Sequence, residues 1–595
     1  MIKLSDYVMN FLVEKGVHHL FVVTGGGIMH LQDSAGHTDG LTYICNHHEQ
    51  ACAIAAESYA RRTNHVGALL VTVGPGSTNA LSAIPGAFAD SIPVFVISGQ
   101  VRTDLIADYR KLRQLGPQEI NIDDMARPVV KYITTVKKPL EIRRELERAW
   151  NHAVSGRPGP VWINLPLDVQ GAMIDEAALL PPDPAPAPPT RADPAETLAM
   201  LASAERPLWV FGGGVQIAHA REEMRALLET SGVPAVFTIG GMDLLEEDHP
   251  LNMGRFGPVG QRRANFAVQN ADLIVGLGAS LSVASIGFNA AGFASRAKKV
   301  AINIDAEELH RPNLGLDLAV HGDLAPFMNG LRDGLARRPL RMSPRWLAVC
   351  ARWKERYPTL TPDCFSDNDH VNTYVFAEAL SRIVDEGATV VTGNSLDIVS
   401  LYQSFKIKRG QRVYTNINYG AMGWDMPAVV GACLASGNRR TILVTGDGSF
   451  QFNVQELLTI KQYKLQVKIF IVNNQGYEAI RSTQKNYFNG HFVGSDPASG
   501  IGNPNYAKLA AAYDLAYAHI ANHDGMDAKI AAFLAAPGAG LCELNVSYDQ
   551  GRSPKASSFR REDGTMESRP LEDMAPFLPR EEIAENMHLF DADQR

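Results

Sequence analysis

Two short segments of this 595-residue chain place oxygen-bearing side chains where ligands are commonly held. Gly446-Asp447-Gly448-Ser449 follows the apolar run TILVT, and Asn473-Asn474 closes the run VKIFIV, with Gln475-Gly476-Tyr477 next. Asp447 and Asn474 stand 27 residues apart, room for a helical crossover between neighbouring parallel strands. Two adjacent strand ends would then offer a carboxylate and an amide oxygen to one hard cation. Mg²⁺ suits such a set, because it takes few protein ligands and keeps phosphate oxygens, so the pair points to a phosphorylated cofactor. Gly446 and Gly448 would let backbone approach the phosphates, and the helix start at Ser449 would favour their charge. Either segment alone reads equally as a turn or a loop. Their joint strand context favours the metal–diphosphate reading.

A second group lies near the other end of the chain. YICNHHEQACAIAAESYARR sets Glu49 at the start of an Ala-rich helix, where a carboxylate is either a dipole-favoured helix charge or a proton-transfer group. Gly25, Gly26 and Gly27 in FVVTGGGIMHL, and GPGST at 74–78, read as strand-to-helix turns beside it.

These groups require strands to present them. Apolar runs such as 67–73 and 93–98 alternate with helical patterns, the rhythm of parallel strands buried on both faces. The same pattern recurs in RPLWVFGGGVQIA, ADLIVGLGASL and KKVAINIDAEE, and again in GATVVTGN, RTILVTGDGSF, VKIFIVNNQGY and GLCELNVS. The expected fold is therefore α/β, with three open, mainly parallel-sheet domains over 1–178, 197–345 and 370–550. Proline density makes 179–196 an extended linker. Residues 551–595 form a charged arm, either a lid or a packed surface extension. Six scattered cysteines without metal-type spacing and an opening without a signal-peptide pattern predict a cytoplasmic protein. A net charge of −8 with no basic run excludes a nucleic-acid partner, and no apolar stretch is long enough for a membrane span.

With GDG followed by NN, the chain resembles the thiamine-diphosphate enzymes of the acetohydroxyacid (acetolactate) synthase and pyruvate oxidase type, along nearly its whole length. The resemblance implies a pyrimidine-binding domain, a middle domain and a diphosphate-binding domain, in that order. It implies Mg²⁺ ligation by Asp447, Asn474 and the Gly476 carbonyl, with Gly446, Gly448, Ser449 and Tyr477 around the diphosphate. Glu49 matches the family glutamate that protonates pyrimidine N1′, so that the cofactor's own amino group can remove the thiazolium C2 proton. Gly420 and Met422, in NINYGAMGWDMPAVVG, match the stretch that grips the pyrimidine and bends the cofactor; a core methionine is the alternative. Gly26 and Gly27 match turns lining the site. Gln118 matches a glutamine near the reacting centre, against a solvated loop amide. A 2-keto acid donor, pyruvate first, and a carbonyl acceptor follow, as does a homodimer or homotetramer in which Glu49 faces the GDG–NN site of another subunit.

The chain departs from the biosynthetic synthases in three places. No tryptophan follows NN, Pro117 replaces a phenylalanine, and Asn394-Ser395-Leu396-Asp397 replaces a Gln-His contact region, so the acceptor pocket differs. Asn394 or Ser395 could still touch diphosphate. LRQLG with QEI, and the SPK, PLEDM and FLPREE tail, also resemble flavin-containing carboligases acting on keto-sugars. In the middle domain Gly212-Gly213-Gly214 and Asp305 could hold FAD or ADP, although GASLSVASIGF lacks the usual flavin-contacting arginine and Arg255 would have to substitute. A thiamine-dependent decarboxylase or lyase without ligation remains an alternative. An NAD oxidoreductase fits less well because GGGVQIA lacks GxGxxG, and a non-catalytic subunit would not need Glu49.

Overall fold

The computed structural model describes residues 1–187, 190–312 and 314–590; part of the expected linker (188–189) and the end of the arm (591–595) lie outside the described residues. Three six-stranded sheets, parallel throughout, succeed one another. The first contains His19–Val22, Thr42–Cys45, Gly67–Val71, Val94–Gln100, Tyr132–Thr135 and Val161–Pro166. Counted in chain order its strands lie 2-1-3-4-6-5. The second, from Pro207–Phe211 to Leu318–His321, runs 3-2-1-4-5-6. The third contains Thr389–Thr392, Arg412–Tyr414, Thr441–Gly446, Val467–Asn473, Ala516–Ile520 and Gly540–Asn545, and repeats the order 2-1-3-4-6-5. The α/β expectation with three parallel sheets is met. Continuous apolar runs are buried because helices cover both faces of each sheet, as in Gly67–Val71 and Val94–Gln100, where every residue is buried.

The first and third sheets share a core. Helix Glu49–Thr63 packs against helix Asp425–Ala435, and Phe21, Leu69, Val429, Leu443 and Ile469 belong to one apolar cluster. Small residues make that approach possible: a Cβ on Gly431 would fall 2.0 Å from the Ala55 carbonyl oxygen. His48 starts the first of these helices by accepting the Gln50 N–H, and Asn64 ends it in the left-handed region at φ 56°. The arm from Gly551 folds into two short antiparallel pairs and helix Arg580–Met587. It packs on the middle domain, where Asn586 accepts the Trp353 indole N–H and Asn265 donates to the Leu571 carbonyl. Among the described residues no helix is long and apolar enough to cross a membrane.

Candidate functional site

Asp447 stands at the carboxyl end of strand Thr441–Gly446, beside the end of its neighbour Val467–Asn473. This residue begins helix Asp447–Gln451 and is 1% exposed. One carboxylate oxygen accepts the Gly448 N–H at 2.7 Å; the other accepts the Gly476 N–H at 2.9 Å and the Asn503 amide at 2.8 Å. Burial raises its pKa above the usual carboxylate range, and the bonds from Asn503, Gly476 and Gly448 oppose that shift without cancelling it. Asn474 is buried, and its side chain has no hydrogen-bond partner among the described residues. Gly476 has φ +124°, and a Cβ there would lie 2.5 Å from the Ser495 carbonyl oxygen, so only glycine makes this turn. Its own carbonyl accepts no hydrogen bond among the described residues.

The Gly476 N–H thus ties the turn Asn474–Gly476 to Asp447, and the Asn474 amide and the Gly476 carbonyl keep spare lone pairs. Among the described residues no three His, Cys, Asp or Glu side chains form a metal cluster. A cation here would need neutral oxygens and phosphate to complete its shell, which fits Mg²⁺ with a diphosphate.

The expected cofactor residues surround this point. Ser449 Oγ accepts the Gly423 N–H at 2.8 Å and donates to Asp425 at 2.9 Å. Asn394 donates to the Ala421 carbonyl at 3.0 Å and accepts the Thr415 hydroxyl, tying the turn after Thr389–Thr392 to the loop carrying Gly420 and Met422. Ser395 caps the next turn through its N–H on Asp397 at 2.9 Å. Met422 is exposed rather than core; its methyl lies 3.3 Å from where a Cβ on Gly448 would stand, and the Tyr477 ring lies 2.2 Å from the same spot. The glycines separate into two kinds. Gly448 is required by Tyr477, and Gly420 by its φ of +64°, whereas a Cβ on Gly446 would meet no atom within 4 Å. Gly446 leaves room for something other than the protein.

The first sheet assembles the second group around the turn Thr72–Gly76. Glu49 is partly buried and accepts the Asn79 amide at 3.0 Å, and a Cβ on Gly76 would stand 3.4 Å from its other oxygen. Gly27 donates to the Thr72 hydroxyl at 3.1 Å, and both Gly25 and Gly27 leave no room for a Cβ against Thr72 and Val73. Gly26, like Gly446, faces open space. Gln118 is exposed at φ +61°, with its carbonyl 1.9 Å from the Cβ position of Gly74, itself at φ +65°. Beside it Glu119 clasps its loop. Burial favours its neutral form, but the N–H groups of Ala107, Leu115 and Gly116 hold its pKa below the usual glutamate range.

The two groups do not meet through Glu49 within one chain: among the described residues no hydrogen bond joins its carboxylate to the third domain. They are linked instead by the neighbouring Gln50, whose side-chain oxygen accepts from Asn453 at 3.3 Å, while Asn453 also donates to the Gly423 carbonyl at 2.7 Å. The sequence reading missed Asn503, Asn79, Asn453 and Asp425, isolated polar residues with no spacing signal.

A cavity of about 950 Å³ opens at the carboxyl ends of the middle strands, lined by Gly213, Gly240, Gly278, Asn303 and His321 with Arg61 and Arg157 of the first domain. Gly212 and Gly214 pack directly on Gly278, so close backbone approach accounts for them. Two sequence expectations are corrected here. Arg255 is no substitute ligand: it is buried in pairing with Glu247 at 2.9 Å and donates to the carbonyls of Tyr402 and Phe405. Asp305 spends its carboxylate capping helix Ala306–Leu309 and on Arg157 at 3.3 Å.

Comparison with known proteins agrees with this architecture. Residues 2–126 match the N-terminal TPP binding domain of thiamine pyrophosphate enzymes, 195–331 their central domain and 392–544 their C-terminal TPP binding domain. Acetolactate synthase isozyme 2 large subunit of Escherichia coli (strain K12) is 30% identical over 559 residues, 92% of this chain and 95% of that protein. The chain belongs to the thiamine pyrophosphate enzymes of the acetolactate synthase type. The probable acetolactate synthase large subunit of Methanocaldococcus jannaschii is 31% identical over 539 residues, covering 88% of this chain and 89% of its own. The acetolactate synthase large subunit of Cyanidium caldarium is 29% identical over 562 residues, 92% and 94% respectively. This acetolactate-synthase-type chain is thus a thiamine-diphosphate-dependent enzyme that forms carbon–carbon bonds.

Proposed function

We propose that the protein is a carboligase that decarboxylates a small 2-keto acid, pyruvate first, and transfers the remaining acyl unit to a carbonyl acceptor. The observation that carries this reading is the buried Asp447 carboxylate, set beside the free oxygens of Asn474 and Gly476 and the vacant approach over Gly446. When bound, thiamine diphosphate supplies the nucleophilic carbon and accepts the electron pair released with CO₂. The chain's own part is to hold and orient it. Asp447, Asn474 and the Gly476 carbonyl hold Mg²⁺ on the diphosphate. Gly446, Gly448, Ser449, Tyr477 and the Asn394–Ser395 turn line its phosphates. Gly420 and Met422, with Gly26 and Gly27, grip the rest of the cofactor. Glu49, oriented by Asn79, holds or donates a proton at the pyrimidine ring, and Gln118 faces the substrate.

Because Glu49, among the described residues, bonds within its own domain, a second copy completes the site. Exposed apolar side chains near both groups, among them Tyr43, Met422 and Phe452, support a homodimer as the minimal unit and allow a tetramer. The middle cavity is large enough for FAD or ADP. Pro117 and the missing tryptophan after Asn474 leave the acceptor among pyruvate, an aldehyde and a larger ketone. We place the enzyme in the cytoplasm on its six unpaired cysteines. The deciding experiment incubates purified protein with thiamine diphosphate, Mg²⁺, pyruvate and a panel of acceptors, following CO₂ and identifying products by mass. Release of CO₂ without any ligated product from every acceptor would leave the protein a decarboxylase.

A further inference from the structure

Beneath the diphosphate cradle lie two carboxylates that the reading above does not use. Asp397 and Asp425 are 2% and 0% exposed, and both face the backbone at Gly393. A Cβ at Gly393 would stand 2.2 Å from Asp397 Oδ2 and 2.8 Å from Asp425 Oδ2, so the two oxygens flank one point. Asp425 is well supplied with donors: Met426 N–H at 3.1 Å and Ser449 Oγ at 2.9 Å on one oxygen, and Thr445 Oγ1 at 2.5 Å on the other. Asp397 is not. Its Oδ1 accepts the Ser395 N–H, while its buried Oδ2 has no partner.

Helix Glu49–Thr63, packed on the helix that Asp425 begins, brings Glu57 and Arg61, which pair with each other beside Trp424. Strand Thr441–Gly446 contributes the Thr445 hydroxyl, and helix Asp447–Gln451 contributes Ser449, while its Asp447 turns toward Gly476 and Asn503. The turn after Thr389–Thr392 contributes backbone only, its Gly393 carbonyl being taken by the Thr415 hydroxyl. Among the described residues no Lys, Arg or His bonds to either carboxylate. Two buried carboxylates so placed cannot both ionise cheaply, and a proton on Asp397 would give its orphan oxygen a partner. Burial and then the Asp425 charge push Asp397 up to about 7, and burial raises Asp425 as well.

We propose that Asp397 and Asp425 share one proton, and that this singly charged pair positions the Asn394–Ser395 turn and the Ser449 hydroxyl for the diphosphate. The inference rests on the cofactor reading given above. Asp397 acts through Ser395, and Asp425 through Ser449, so both are positioning residues. Losing the shared proton would set a second negative charge under a polyanion, so cofactor binding retains the proton.

The test is calorimetric titration of the apoenzyme with thiamine diphosphate and Mg²⁺ from about pH 6 to about pH 9, in buffers of different ionisation heat. In the natural protein Kd is expected to be flat at the acid end and to rise by up to about tenfold per pH unit above neutrality, with proton uptake on binding. Asp397→Asn keeps a donor toward Asp425 but cannot ionise, so it should lose that extra uptake and bind more tightly than the natural protein at the alkaline end. An identical pH dependence in Asp397→Asn overturns the proposal. Infrared spectra of the apoenzyme give a second readout independent of the cofactor: a protonated carboxyl band that fades through neutrality and is absent from Asp397→Asn and Asp425→Asn. Absence of that band from the natural protein also overturns the proposal. Failure to bind thiamine diphosphate at any pH would instead refute the cofactor reading, and the infrared band would still decide whether the pair shares a proton.

Discussion

Gly446 and Gly448 flank Asp447, yet one methyl group on each should have opposite effects on the free protein. At Gly446 the backbone lies at φ −72°, ψ 149°, which any residue adopts, and no atom lies within 4 Å of a new Cβ. Gly446→Ala should therefore fold normally and gain about 0.4–1 kcal/mol from the reduced freedom of the unfolded chain. At Gly448 the new Cβ would lie 2.2 Å and 2.5 Å from two carbons of the Tyr477 ring. Tyr477 cannot retreat as a whole, because its N–H is held by Ser495 at 2.9 Å and its carbonyl accepts the Arg481 N–H. Overpacking of this kind costs about 1–3 kcal/mol, so Gly448→Ala should melt earlier than the natural protein. If the space over Gly446 receives the diphosphate, both variants should lose cofactor affinity, whereas the strain at Gly448, already present in the free protein, shows in its melting and not in its binding. Thermal melting of the apoenzyme and a thiamine diphosphate titration by intrinsic fluorescence measure the two quantities separately. Undiminished affinity in Gly446→Ala would show that nothing approaches this backbone, and the diphosphate assignment would fall.

Other consequences are direct. Dialysis against chelator should abolish thiamine diphosphate binding until Mg²⁺ is restored, and Asp447→Asn should not recover at Mg²⁺ levels that saturate the natural protein, as read by equilibrium dialysis. Asn503→Ala removes one donor from Asp447 and should weaken Mg²⁺-dependent binding by about 10–100-fold; an unchanged Mg²⁺ titration would reduce Asn503 to loop structure. Glu49→Gln should lower kcat by about 10²–10⁴-fold while leaving calorimetric cofactor affinity within a few-fold, and full turnover would eliminate its proton role. Glu119 has a folded pKa below its unfolded value, so its contribution is complete above the ordinary glutamate range and fades as pH falls toward the folded value. The loop around Gln118 should therefore open first on acidification, seen as faster amide exchange at Leu115 and Gly116.

The parts of this molecule legible from sequence are those written in periodicity and punctuation. Runs such as GALLV and the VFVI that opens Val94–Gln100 are apolar at every second and every intervening position, as a sheet covered on both faces demands, and the glycines and amides that end them mark the ligand-facing edge. Asp447 and Asn474 were visible because each immediately follows such a run. Asn503 was not: it reaches Asp447 from an irregular loop, and side-chain direction in a loop leaves no periodic trace. The same limit explains Arg255. An arginine at the end of a middle-domain strand looks free to meet a ligand, but burial obliges it to satisfy its charge, and Glu247 with two carbonyls does so. GGG at 212–214 reads as a nucleotide signature or as a turn, and only the contact with Gly278 shows how much of it the backbone itself requires.

The repeated strand order adds one relation that residue types alone conceal. In both the first and the third sheet the second strand leads to a helix whose first residue is acidic, Glu49 in one and Asp425 in the other, and these two helices pack together. A carboxylate is favoured at both places by the exposed N–H groups of a first helical turn. What differs is the connection. Between Cys45 and Glu49 it is short and leaves the carboxylate at the rim, with Asn79 as its partner. Between Tyr414 and Asp425 it is a longer loop that carries Gly420 and Met422 outward and closes over the acid, which then turns to Ser449 and Thr445. Equivalent positions have thus been given different tasks by their cover: the rim acid is free to meet a ligand, and the covered acid can act only through the residues it holds. A swap of the two loops should follow the same logic, since uncovering Asp425 would relieve its burial and screen its charge, leaving Asp397's own burial to favour its proton.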